Sequence, residues 1–186
     1  MRLIFILLAL ALLALGAWGI SVFNRLVRLR NQVRTAWADV DVQLMRRHDL
    51  VPSLVTAVQA YAGHEQATLQ AVTELRAQAL AAKAPGRLGE IESELEQGIG
   101  RLLALQEAYP DLKANQNFAQ LQRDLAEVEE QLQYARRFYN GAVRDLNDGV
   151  QRFPDVLVAR VAGFHDAEFF QAEPGSRQAI AVELDR

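Results

Sequence analysis

Beyond an uncharged N-terminal run, apolar residues recur at spacings of three and four, the spacing of one helix face. Val33, Trp37, Val40 and Leu44 open the series, and Val51, Leu54 and Val58 continue it. The steps alternate four and three, which is a heptad seam. Gly63 offers a helix stop, and a second helix beginning near His64 carries Leu69, Val72, Leu75 and Leu80. Pro85-Gly86 is the clearest break. After it Leu88, Ile91, Leu95, Ile99, Leu102 and Leu105 make a further stripe, which the Tyr109-Pro110 step ends. A polar loop over residues 111–116 follows. Asn117 with Gln120 reads as a capping box for a helix of roughly 35 residues. That helix carries Phe118, Leu121, Leu125, Val128, Leu132, Ala135, Tyr139, Ala142, Leu146 and Val150 on one face. Pro154 suits the first turn of a short helix over residues 155–161, with Gly163 as its stop. From Phe164 the pattern turns irregular, then alternates at Ile180, Val182 and Leu184, which reads as an extended strap.

The N-terminal run, residues 3–22, holds no charge. Twenty helical residues reach about 30 Å, one bilayer core. Trp18 lies near its end, where indole favours the membrane interface. A cleaved signal peptide is the alternative, but a single basic residue before the run and the run's length favour a retained anchor. Only Arg2 precedes the span, whereas Arg25, Arg28, Arg30 and Arg34 follow it. The positive-inside rule then puts the body in the cytoplasm, on a single-pass membrane protein. A body outside that membrane is the alternative. The expected architecture is all-α: an N-terminal transmembrane helix, then an antiparallel up-down bundle of long helices, four-helix-bundle or coiled-coil-like. Residues 1–23 form the anchor, 24–163 the bundle, and 164–186 an extended tail.

Composition narrows the chemistry. The chain has 186 residues, a formal net charge of -3 and no cysteine. That charge gives no basic face for nucleic acid, and the missing thiols exclude disulfides, thiol catalysis and cysteine-ligated metal. His48, His64 and His165 lie in separate elements without a metal-binding spacing, so helix-cap or solvated roles are expected for them. No phosphate loop or nucleophile elbow is present. No catalytic residue, cofactor or metal is implied.

The densest polar cluster is Arg46, Arg47, His48 and Asp49. Extending the heptad from Leu44 puts Arg47 on the apolar seam, where it would need a carboxylate, with Glu65 as candidate. The favoured reading is that Pro52 disturbs the register and leaves Arg47 half exposed. Asp111, Lys113 and Asn115 sit in the polar loop. These residues and the 46–49 cluster are candidate interaction points, and Arg25, Arg28 and Arg30 are candidate lipid contacts.

Four stretches carry a family resemblance: AWADVDVQLMRRHDLVPSLV at residues 36–55, YAGHE at 61–65, YPDLKANQNFAQLQ at 109–122 and ARRFYNGAVRDLN at 135–147. Together with Gly163-Phe164 they resemble the LemA family over about residues 24–170. Met45 departs from it, standing where a lysine is expected. The resemblance implies a bacterial protein with one N-terminal membrane helix, a bundle of long helices and no agreed enzymatic activity. The expected role is a membrane-anchored interaction or scaffold protein with an unidentified protein partner, and a homo-oligomer stays open. A lipid or envelope-stress sensor using the basic juxtamembrane stretch is the alternative, and an enzyme with a site inside the bundle ranks last.

Overall fold

The computed structural model describes residues 1–170. The alternation at Ile180, Val182 and Leu184 lies outside them. Among the described residues every regular element is helical: α1 (Arg2–Gln59), α2 (Gln66–Ala81), α3 (Pro85–Ala104), a 3₁₀ turn (Leu105–Glu107), α4 (Pro110–Lys113), α5 (Gln116–Gln151) and α6 (Asp155–Val161). The chain divides into two compact units. One holds Met1–Val40 and Ala135–Glu168; the other holds Asp41–Tyr134 with Phe169 and Phe170. The helices α1 and α5 each contribute a segment to both.

The span runs without interruption into α1, a single helix of 58 residues with Pro52 inside it. Its most apolar stretch is long and apolar enough to cross a membrane, and none of that stretch is buried against the rest of the protein.

In the first unit Val22 and Leu26 of α1 are buried with Ala159 of α6 and Phe164. A Cβ on Gly149 of α5 would meet Leu29 at 3.0 Å and Leu26 at 3.2 Å, so the missing side chain is what lets α5 approach α1. Trp37 and Tyr139 meet edge to face, with ring centroids 5.2 Å apart. Residues 164–168 have no regular structure but are held to α5. The Asn147 amide donates to the Ala167 carbonyl at 3.0 Å and accepts from the Ala167 N–H at 2.8 Å. The Tyr139 hydroxyl donates to the Glu168 carbonyl at 2.8 Å. Gly163, at φ 69°, makes the left-handed turn that ends α6.

The second unit buries Val51, Leu54 and Val58 of α1 with Leu69 and Val72 of α2, Leu95 and Leu102 of α3, Leu112 of α4, and Phe118 and Leu125 of α5. Each such side chain contributes roughly 1.5–3 kcal/mol on leaving water. A short connection folds α3 back on α2. They close tightly: a Cβ on Gly98 would lie 2.7 Å from Val72 Cγ2.

Three boundaries differ from the sequence reading. Helix α2 begins at Gln66 rather than near His64, and Ala79 rather than Leu80 is its buried residue in the last turn. Pro110 does not lead into a loop but opens α4, because its fixed φ and missing N–H suit the first helical position. The cap of α5 is Asn115, whose Oδ1 accepts from the Phe118 N–H at 3.0 Å; Asn117 already lies inside the helix.

Candidate functional site

The heptad extended from Leu44 does bring Arg47 to the seam, and nothing shifts it off. Arg47 is 2% exposed and His48 3%. Helix α1 passes through Pro52 because a side chain replaces the hydrogen bond that proline cannot make. In an α-helix the His48 carbonyl would accept from the N–H of residue 52, and proline has none. Arg76 of α2 donates its Nε–H to that carbonyl at 2.7 Å.

The carboxylates that meet Arg47 come from two other helices. Glu92 of α3 is completely buried. Arg47 Nη1 donates to Glu92 Oε2 at 3.2 Å, and His48 Nε2 lies 2.6 Å from Glu92 Oε1. Arg47 Nη2 donates to Glu129 Oε2 of α5, and Glu96 Oε2 stands 3.9 Å from the same nitrogen. One guanidinium thus holds α1, α3 and α5 together through forked donors that suit carboxylates. The histidine fills the second oxygen of Glu92, so that buried carboxylate has partners on both oxygens. This corrects the sequence reading in three places. Arg47 is buried rather than half exposed, His48 is a buried partner rather than a solvated or capping residue, and the carboxylates are Glu92 and Glu129 rather than Glu65. Glu65 instead precedes α2, where its carbonyl accepts from Thr68 and Leu69 at 3.1 and 3.2 Å.

A signal for Glu92 exists in the sequence. Leu88, Glu92, Leu95 and Ile99 are spaced four, three and four, so a charge sits within the apolar face of α3. Glu129 lies in the same way between Leu125 and Leu132. Arg76 has no comparable signature, because it answers a main-chain vacancy in another helix.

The remaining candidates are at the surface. Arg46 and Asp49 are exposed and line a groove of about 310 Å³ with Leu50, Asp124, Glu127 and Val128. A neighbouring groove of about 700 Å³ shares Asp124 and runs between α1 and α5, past Ser53, Ala57, Ala60, Tyr61 and Asn115. On α1 the residues Arg46, Asp49, Ser53 and Ala57, with Ala60 just past its end, follow one another at three and four, a stripe apart from the buried seam. Asp111 and Lys113 are exposed on α4. Asn115 both caps α5 and donates to the Tyr61 hydroxyl at 3.0 Å. In the first unit Arg25 pairs with Asp155 at 2.6 Å, Arg30 stacks over Phe164 with Cζ 5.1 Å from the ring centroid, and Arg28 is exposed.

Among the described residues no group of three or more His, Asp or Glu side chains is placed to hold a metal ion. The Tyr139 hydroxyl has its pKa raised above 10.0, first by burial and then by the negative charge of Glu168.

Comparison with known proteins sets these features in a family. The chain is similar to magnetosome proteins MamQ 2 and MamQ 1 of Paramagnetospirillum magneticum, each 23% identical over 202 residues, covering 94% of this chain and 74% of the relative. It is also similar to magnetosome protein MamQ of Magnetospirillum gryphiswaldense, at 21% over 204 residues, with 94% and 75% covered. The model of the LemA family matches residues 36–184, which take in the Arg47 cluster, both grooves and the Asn147 clamp, and the chain belongs to the LemA family.

Proposed function

We propose that this protein is a membrane-anchored interaction protein that receives a partner helix in the groove between α1 and α5. The anchor is the apolar start of α1, residues 1–23. The helical body is residues 24–163, with 164–186 as its tail. The body faces the cytoplasm, following the four arginines after the span. The groove carries the reading. Its α1 side is small, with Ser53, Ala57 and Ala60 on one face, so another backbone can come close. It is open to solvent and about 700 Å³ in volume. Asp49, Asp124 and Glu127 stand near one end against the single cation Arg46, which suits a partner helix with basic residues.

The buried cluster argues against catalysis at the most chemically capable residues. Side-chain exposures of 3%, 4% and 0% for Arg47, His48 and Glu92 leave no surface for a substrate to touch. Its role is to fix the register of three helices, and so to hold the groove's walls.

The test is a photo-crosslinking residue at the exposed position Thr56 in living cells. A defined protein adduct is expected. Ser53→Arg with Ala60→Arg, both at exposed sites, should abolish it while the thermal midpoint stays unchanged. Adducts that survive the two arginines would overturn the groove as the docking site. Protease treatment of intact spheroplasts tests the orientation separately: the body should be protected until the cells are lysed.

A further inference from the structure

Beyond the apolar span, the large apolar residues that the first unit leaves exposed are Phe23, Phe138 and three on or just before α6. Phe153, Leu157 and Val161 are 78%, 53% and 92% exposed. Leu157 and Val161 are spaced by four on α6, and Phe153 lies in the turn before it. The opposite face of α6 is anchored: Asp155 is 5% exposed and paired with Arg25, and Ala159 is fully buried with Val22 and Leu26.

The level of that anchoring along α1 is informative. Val22 is the last residue of the uncharged span. Leu26 lies four residues farther, about 6 Å along the axis at 1.5 Å per residue. The headgroup layer on each side of a bilayer core is roughly 5–7 Å thick. Trp18, which packs against the same buried cluster, belongs to the type of side chain that favours this layer. Arg152 and Arg160 flank the exposed apolar residues and are themselves exposed, as is Arg28 on α1; Asp148 and Asp166 are exposed nearby, Asp166 beside Arg160. Apolar residues on one side with arginines at the flanks is the pattern of an interfacial helix on anionic lipid.

We propose that α6 lies in the headgroup layer of the membrane that α1 crosses, with Phe153, Leu157 and Val161 turned into the acyl boundary and Arg28, Arg152 and Arg160 on lipid phosphates. The inference rests on the anchor reading above and adds a second lipid contact. The span alone lets the body rotate about α1 and tilt; a docked α6 fixes which side of the first unit faces the bilayer.

The absence of cysteine makes the test direct. Single variants Leu157→Cys, Leu10→Cys and Gln97→Cys of the full chain carry an environment-sensitive dye in vesicles of phosphatidylcholine and phosphatidylglycerol. Spin-labelled lipids quench at the headgroup or deep in the chains. Headgroup-level quenchers should remove most of the emission at 157, deep quenchers most of that at 10, and neither should affect 97. Quenching at 10 but at neither depth for 157 overturns the α6 contact and leaves the anchor standing. A dye at 157 that is hidden from aqueous iodide yet insensitive to both lipids means that protein covers α6, and overturns it too. Loss of quenching at 10 overturns the anchor and the α6 contact with it.

Discussion

The two units share α1 and α5 yet are held together by different means. In the first, the charged pair has only its arginine end at the surface, and Asp155 is buried. Arg25 keeps 39% of its side chain exposed while it meets Asp155, and the interior is aromatic and aliphatic. In the second, the charge is at the centre, where Arg47 and Glu92 are almost wholly removed from water. The first pair loses little when its buried carboxylate is neutralised, because the arginine left behind is already in water. A central pair cannot be rehydrated, so losing one member leaves an uncompensated charge inside. The same ion-pair chemistry therefore locks one unit and only trims the other.

The largest expected effect breaks that contrast directly. Arg47→Met strands Glu92 and should cost about 3–5 kcal/mol, read as a fall in the unfolding midpoint of the detergent-solubilised chain. Asp155→Asn should cost about 1 kcal/mol or less, since the group it frees is Arg25, whose side chain is 39% exposed. Equal losses would mean that exposure does not separate the two pairs. The next effect concerns the gap at Pro52. Arg76→Ala leaves the His48 carbonyl without its donor and should cost about 1–3 kcal/mol. In a Pro52→Ala background the restored N–H should remove most of that cost. A cost that persists in the double variant would assign Arg76 another role.

The smallest effect is in the first unit and depends on pH. Folding keeps the Tyr139 phenol neutral beyond pH 10.0, whereas the unfolded chain ionises it there. The stability this gives is complete below pH 10 and is lost as pH rises through the folded value. Tyr139→Phe should flatten the alkaline fall in the midpoint. At neutral pH it should cost only about 0.5–1.5 kcal/mol, for the bond to the Glu168 carbonyl. An unchanged alkaline slope would place its origin elsewhere.

The helices were legible because burial imposes a period on sequence. The stripe on α5 is followed by burial at Phe118, Leu125, Val128, Leu132, Tyr139, Ala142 and Leu146. Asp155–Val161 forms where Pro154 and Gly163 mark it. The candidate site was legible only by half. Arg47 on the seam followed from local spacing. Its partners did not, because they sit on helices whose approach depends on distant events such as the close passage of Gly98 by Val72. Carrying the heptad through the break at Gly63 pointed to Glu65, and periodicity holds no meaning across a break in the helix. Pro52 misled for a related reason: the local rule for a helical proline is sound, but its remedy lay on another helix, 28 residues from the His48 carbonyl it serves.

The clamp on residues 164–168 does something the helices cannot. Asn147 binds both main-chain groups of a single residue, Ala167, as a neighbouring strand would. A side-chain amide thus stands in for one residue of sheet edge in a protein whose described residues form no strand. Such a contact is blind to the side chain it holds and sensitive only to where the chain is along its length. It works as a ratchet tooth, setting the position at which the polypeptide leaves the first unit while leaving the letters of the passing segment free.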